Sequence, residues 1–153
     1  KALLIAGAQR LPRTAPAGVM QDSHQGFGRV DLDRALSKVQ ATIEGAGLQT
    51  GQQSSHSITL TTSSRTLRIA LAYSDFPGAG LINNLNLIVT SPEGRRYVGN
   101  QRNVSGGLLT LDDQNNVELV QVGQAKKGLW KIDIVASSVA RGPQDYALAA
   151  VLV

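Results

Sequence analysis

The chain contains no cysteine, which excludes a disulfide framework, a zinc–thiolate site and a thiol nucleophile. The compartment stays open on that ground, because many secreted bacterial proteins do without disulfides. Aromatic residues are scarce at 4%, namely two Phe, three Tyr and one Trp. A surface that stacks single-stranded nucleic acid needs several aromatics among its positive charges, so no nucleic-acid partner is expected. The longest strongly apolar run covers residues 147–153. It is far shorter than the roughly 20 residues of a membrane helix, and no membrane partner is expected either. No signal peptide is visible, and the chain opens at Lys1 without a methionine, as part of a longer protein or a processed product would.

What is present fits one globular unit. A chain of 153 residues with 42% hydrophobic and 17% charged residues can bury roughly 68–70% of its unfolded surface. The net charge is +4. Its cations, Arg10, Arg13, Arg29, Arg34, Arg65, Arg68, Arg95, Arg96 and Arg102 among them, are spread over many segments. That spread reads as a dispersed, solvated basic surface.

Two periodicities divide the chain. Ala2, Leu3, Leu4, Ile5 and Ala8 form a short apolar run of the kind a buried helix shows, with Gly7 placed to end it. A loop with Pro12, Pro16 and Gly18 follows. Leu32, Leu36, Val39 and Ile43 then recur at spacings of four, three and four, which predicts an amphipathic helix from about Asp31. Residues 1–45 are therefore expected to be helical, and the Gly-, Gln-, Thr- and Ser-rich residues 46–55 to be a linker.

From His56 the period becomes two. Ile58 and Leu60, then Leu67, Ile69, Leu71 and Tyr73, then Leu85, Leu87 and Val89 take alternate positions. Trp130, Ile132, Ile134 and Ala136 do the same, and so do Tyr146, Leu148, Ala150 and Leu152. Breaks at Pro77-Gly78, Pro92-Glu93-Gly94, Gly106-Gly107, Lys127-Gly128 and Gly142-Pro143 separate short strands. The expectation is a mainly β protein: an antiparallel β-sandwich over residues 56–153, jelly-roll-like with about seven or eight strands, preceded by a short helical segment. Trp130 shares a strand face with Ile132 and Ile134, so it is expected in the core and not as a sugar platform.

Chemistry-bearing residues are few. His24 and His56 stand in no recognisable motif and read as surface or structural histidines. Oxygen-bearing side chains gather near predicted strand ends: Asp75, then Asn83, Asn84 and Asn86, then Asp112, Asp113, Asn115, Asn116 and Glu118. Calcium takes six to eight oxygen ligands of these types, whereas Asx residues in turns equally well bond their own backbone.

Several motifs stand in a definite order: Lys1-Ala-Leu-Leu-Ile-Ala-Gly-Ala8, Gly26-Phe-Gly-Arg-Val-Asp31, Asn83-Asn-Leu-Asn-Leu87, Tyr97-Val-Gly-Asn100, Asn115-Asn-Val-Glu118 and Gly142-Pro-Gln-Asp-Tyr-Ala-Leu148. In this order the chain resembles the C-terminal part of a subtilisin-like serine protease of the large alkaline-protease type. There the last helices of the catalytic domain run into a β-sandwich. The Gly-Thr-Ser-Met-Ala-x-Pro nucleophile motif of that family does not occur here. The resemblance therefore implies that the triad lies upstream of Lys1, that this chain alone cleaves no peptide, and that it is secreted or periplasmic. The implied partner is the catalytic domain, through which alone protein substrates are met, and the implied role is to stabilise that domain. An isolated chain is expected to self-associate through residues 1–45.

The resemblance also implies calcium, with Asp75, Asn84, Asn86, Asp112, Asp113 and Glu118 as the candidate site. Asn84 and Asn86 stand where the family has Asp, which removes charge and lowers the expected affinity. Two other classes compete with the protease reading. One is a stand-alone lectin-like or adhesive module, and the other is a folding module that acts on its own protease.

Overall fold

The computed structural model describes residues 1–12, 24–100 and 110–153. Pro16, Gly18 and the Gly106-Gly107 break lie outside the described residues. Two short helices, α1 (Ala2–Gly7) and α2 (Leu32–Ser37), precede eight strands. These are β1 (Val39–Leu48), β2 (Gln53–Leu60), β3 (Arg65–Ala72), β4 (Asn83–Thr90), β5 (Arg96–Val98), β6 (Val117–Ala125), β7 (Gly128–Val139) and β8 (Gln144–Leu152).

The strands form two antiparallel four-stranded sheets, ordered β1-β8-β3-β6 and β2-β7-β4-β5. First pairs with last, second with second-last, and so on inward, which is the strand order of a jelly roll. The period-two positions fill the space between the sheets. Leu67, Leu85, Leu87, Ile132, Ile134 and Ala136 are fully buried there, and Trp130 is 1% exposed, a core residue as its pattern predicts.

Over β8, β3 and the start of β6 the first sheet is buried on both faces. Its outer side presents Ala70, Ala72, Val117, Leu119, Ala149 and Val151, onto which α1 packs with Ala2 and Ala6. Alanines on that face let the helix come close, and Gly7 lets α1 touch α2, since a β-carbon there would stand 2.7 Å from Ala35.

The amphipathic helix expected from Asp31 stops early. Asp31 caps α2 by accepting the Arg34 N–H at 3.0 Å, but α2 ends at Ser37 and Val39–Leu48 is strand β1, paired with β8. Val39, Thr42 and Ile43 are β-branched, and Gly45 and Gly47 disfavour helix. The edge of β8 offers this segment a backbone partner along its whole length. Leu32 and Leu36, counted as a buried face, are 59% and 68% exposed. The linker expected over residues 46–55 shrinks to a turn between Leu48 and Gln53, and the sandwich begins at Val39.

Candidate functional site

The polar chemistry of the described chain concentrates at one end of the sandwich, where the chain passes from β5 to β6, from β3 to β4 and from β7 to β8. At the first passage Gly99 N–H still donates to Leu87 O of β4 at 2.9 Å, while Asn100 N–H already donates to Leu119 O of β6 at 3.0 Å. The chain thus changes sheets within one residue. The Asn100 side chain completes the junction. Its Oδ1 accepts the Leu119 N–H at 3.0 Å, and its Nδ2 donates to Val117 O at 2.8 Å and to Asp112 Oδ2 at 2.6 Å.

Glu118 lies beneath this crossing with no solvent exposure. Its position on β6 points it between the sheets, where Oε2 accepts the Leu87 N–H at 2.7 Å. That N–H faces the gap that β5 leaves as it departs. Gly99 is required above it, because a β-carbon there would overlap the Glu118 carboxylate. Among the described residues Glu118 Oε1 has no hydrogen-bond partner. Burial pushes the carboxyl up to about 8, the charge of Asp112 adds to this, and the Leu87 N–H opposes it. Burial would also raise Asp112, but donors from Asn100, Gln114 and Asn115 outweigh it and hold that carboxyl below its ordinary value.

The other two passages meet at Tyr73 and Asn83. The Tyr73 hydroxyl donates to Asn83 O at 3.1 Å and accepts the Leu85 N–H at 3.3 Å. Burial, reinforced by the charges of Glu118, Asp75 and Asp112, pushes its pKa up to about 12. Asp75 clamps the start of β4 by accepting the N–H groups of Ile82 at 2.7 Å and Asn83 at 3.0 Å. Fully buried Asn83 accepts the Arg141 N–H at 3.0 Å and donates to Gln144 Oε1 at 2.8 Å. Gln144 in turn donates to Ser74 O at 3.1 Å. Beside this network an open cleft of about 830 Å³ is lined by Glu44, Phe76, Asp145 and Tyr146 among others.

The six candidate calcium ligands do not converge. Asp75, Asp112 and Glu118 share one end of the sandwich, and Asp113 is exposed. Asn84 and Asn86 turn to the outer side of β4, where Asn86 Nδ2 donates to Asn84 Oδ1 at 2.8 Å and to Ser137 Oγ at 3.0 Å. Both oxygens of Asp75 and both of Asp112 already accept N–H groups. The buried oxygens left without partners among the described residues, Glu118 Oε1 and Asn86 Oδ1, lie on opposite sides of β4. Among the described residues no three His, Cys, Asp or Glu side chains gather as a metal site. This donor set does not fit calcium.

His56 bridges the two sheets, its Nε2 lying 2.8 Å from the Tyr146 hydroxyl and 3.1 Å from Ser54 Oγ. Sequence reasoning missed Arg68, which is 6% exposed on the outer side of the first sheet. It donates to Ala6 O at 2.7 Å, to Ile5 O at 3.2 Å and to Gln121 Oε1, and so caps the last carbonyls of α1. Burial, with the charges of Arg34 and Arg10, lowers its pKa to about 10. An arginine within the otherwise apolar run of β3 was the signal available for it.

The polar network is architectural. It satisfies buried backbone groups where strands change sheets, and its one strongly perturbed carboxyl is sealed from any substrate. No protein-family model and no curated protein matches the chain. Among solved structures, the chain is similar to the P-domain of Penaeus vannamei nodavirus (TM-score 0.36, 13% identity, 76% of this chain and 99% of that one). It is also similar to BtGH115A, a family GH115 4-O-methyl-α-glucuronidase (0.34, 14%, 70% of this chain and 14% of that one). A serine protease of Aeromonas sobria is similar as well (0.34, 13%, 98% of this chain and 39% of that one). The last two chains extend far beyond the length matched here, and at these scores none of the three bears on what the present chain does.

Proposed function

We propose that the chain is the C-terminal part of a secreted subtilisin-like serine endopeptidase, and that it stabilises the catalytic domain without being catalytic itself. The observation that carries this reading is the state of the N-terminal segment. Helix α1 is fixed to the outer side of the first sheet by its alanines and by buried Arg68. Yet Leu4, Leu11, Val30, Leu32 and Leu36 on the same segment are 40–68% exposed. A segment clamped on one side and apolar on the other suits a join between two bodies, with the catalytic domain as the second. Residues up to about Lys38 then belong to the join, and the sandwich proper starts at Val39.

The reading requires a longer protein with a Gly-Thr-Ser-Met-Ala-x-Pro nucleophile ahead of Lys1. In that protein, removal of residues 39–153 is expected to shorten the half-life of peptidase activity at elevated temperature several-fold. The kcat/KM on a short peptide, measured before heating, should change little. Equal half-lives, or an upstream reading frame without the motif, would overturn the proposal.

A further inference from the structure

The end of the sandwich opposite the polar network is built from three turns that are remote in sequence. They connect β2 to β3, β4 to β5 and β6 to β7, and they touch. Lys127 N–H donates to Ser63 Oγ at 3.0 Å, and Ser64 N–H donates to Ala125 O at 3.1 Å. Pro92 packs so closely on Gly128 that a β-carbon there would lie 2.9 Å from it. These turns carry Arg65, Arg95, Arg96, Lys126 and Lys127, every one exposed, against a single carboxylate, Glu93. The excess equals the formal net charge of the whole chain, +4. Lys131, exposed and paired in register with Thr90, extends the patch along β7. Among the described residues none of these six forms an ion pair, although Arg95 stacks over the half-buried Tyr97 ring at 5.2 Å. Arg65, Arg95 and Arg96, which look dispersed in sequence, are thus gathered by the fold with Lys126, Lys127 and Lys131 at one end, uncompensated, while Asp75, Asp112, Asp113 and Asp145 lie toward the other.

We propose that this basic end binds an anionic polysaccharide through its sulfate or carboxylate groups. Exposed cations held close together without counter-charges set up a local positive potential that favours a polyanion. The three tips expose Thr61, Thr62, Ser63, Pro92 and Gly94 around the charges. Leu129, 48% exposed at the start of β7, is the one large apolar side chain described as exposed beside them, too little for the apolar centre that a protein partner would bury. Single-stranded nucleic acid needs a free aromatic face, and Tyr97 lies under Arg95 and against Trp130. Duplex DNA is stiff over a length of roughly 50 nm, so it meets a convex tip at only a few phosphates. A flexible polysaccharide can follow the tip, and the hydroxyls of Thr61 and Thr62 suit its neutral groups.

Heparin is the probe, titrated against the purified chain over a salt series. Alongside it are tested R96Q/K127Q at the basic end and K1Q/R141Q at the opposite end, each lacking two charges. Binding should weaken with salt, and R96Q/K127Q should weaken it about tenfold and flatten the salt dependence. K1Q/R141Q should stay within about twofold of the parent. Equal losses in the two variants, or no binding to heparin at low salt, would overturn the proposal. So would tighter binding, at matched salt, to duplex DNA or to phosphatidylglycerol vesicles. Unchanged thermal unfolding of both variants establishes that lost binding is not lost fold.

Discussion

Glu118 places a carboxyl between the two sheets, and its single hydrogen bond does not offset the loss of water, so its affinity for a proton rises. In the unfolded chain it deprotonates near 4.5, and in the folded chain near 8. The folded state therefore holds the extra proton between those values. Stability falls as pH rises through that window, with no cost below it and the full cost above it. Glu118→Gln keeps an oxygen for the Leu87 N–H and removes the titration. Its unfolding free energy should match the parent near pH 4.5 and exceed it by on the order of 5 kcal/mol at pH 8.5. Chemical denaturation at several pH values measures this, and parallel curves would show that Glu118 does not titrate as described. Calcium is expected to add nothing, because the carboxylates of Asp75 and Asp112 already accept N–H groups. The unfolding temperature should be the same in calcium and in chelator, and a rise of several degrees in calcium would show a site that this donor set does not account for.

At the scale of the element, the strands around Ile58 and over residues 67–73, 85–89, 130–136 and 146–152 were legible because alternate apolar residues have one physical reading when a face is buried, whereas β5 and β6 were not singled out. The segment after Asp31 was ambiguous. Its apolar residues fit a helical spacing and, over Val39, Ala41 and Ile43, also a period of two. Only the free edge of β8 decided between them. Helix α1 is too short to persist in water by itself, so its existence depends on the alanine face of the first sheet and on Arg68. Arg68→Met keeps the buried stem but leaves the carbonyls of Ile5 and Ala6 without their donor. The expected cost is about 1–3 kcal/mol, with faster hydrogen exchange confined to residues 2–8. Unchanged exchange there would mean that apolar contact alone holds the helix.

Taken as a whole the molecule is polarised in two ways, by charge along the sandwich and by exposed apolar side chains on its N-terminal segment. Leu32 and Leu36, at 59% and 68% exposure, are the most exposed large apolar residues described. The separate 153-residue chain is expected to self-associate through them. Sedimentation should show oligomers that persist in high salt, since apolar burial is not screened. Leu32→Asn with Leu36→Asn should give monomers. A parent that is monomeric at all concentrations would remove the need for a covering partner, and with it the main support for the join.

The sequence by itself determined that this is a cysteine-free β-sandwich with Trp130 in its core, because burial of alternate side chains is a local, repeating demand. It also marked Asn83, Asn115, Glu118 and Gln144 as parts of distinctive strings, but not what they do. The partners of Asn83, Glu118 and Gln144, namely Arg141, Leu87 and Ser74, lie far away in sequence, and only the crossing of chain between sheets brings them together. The same holds for charge. Arg65, Arg96 and Lys127 are distant in the chain, and tertiary structure alone made them one surface, because in a jelly roll alternate turns fall at the same end.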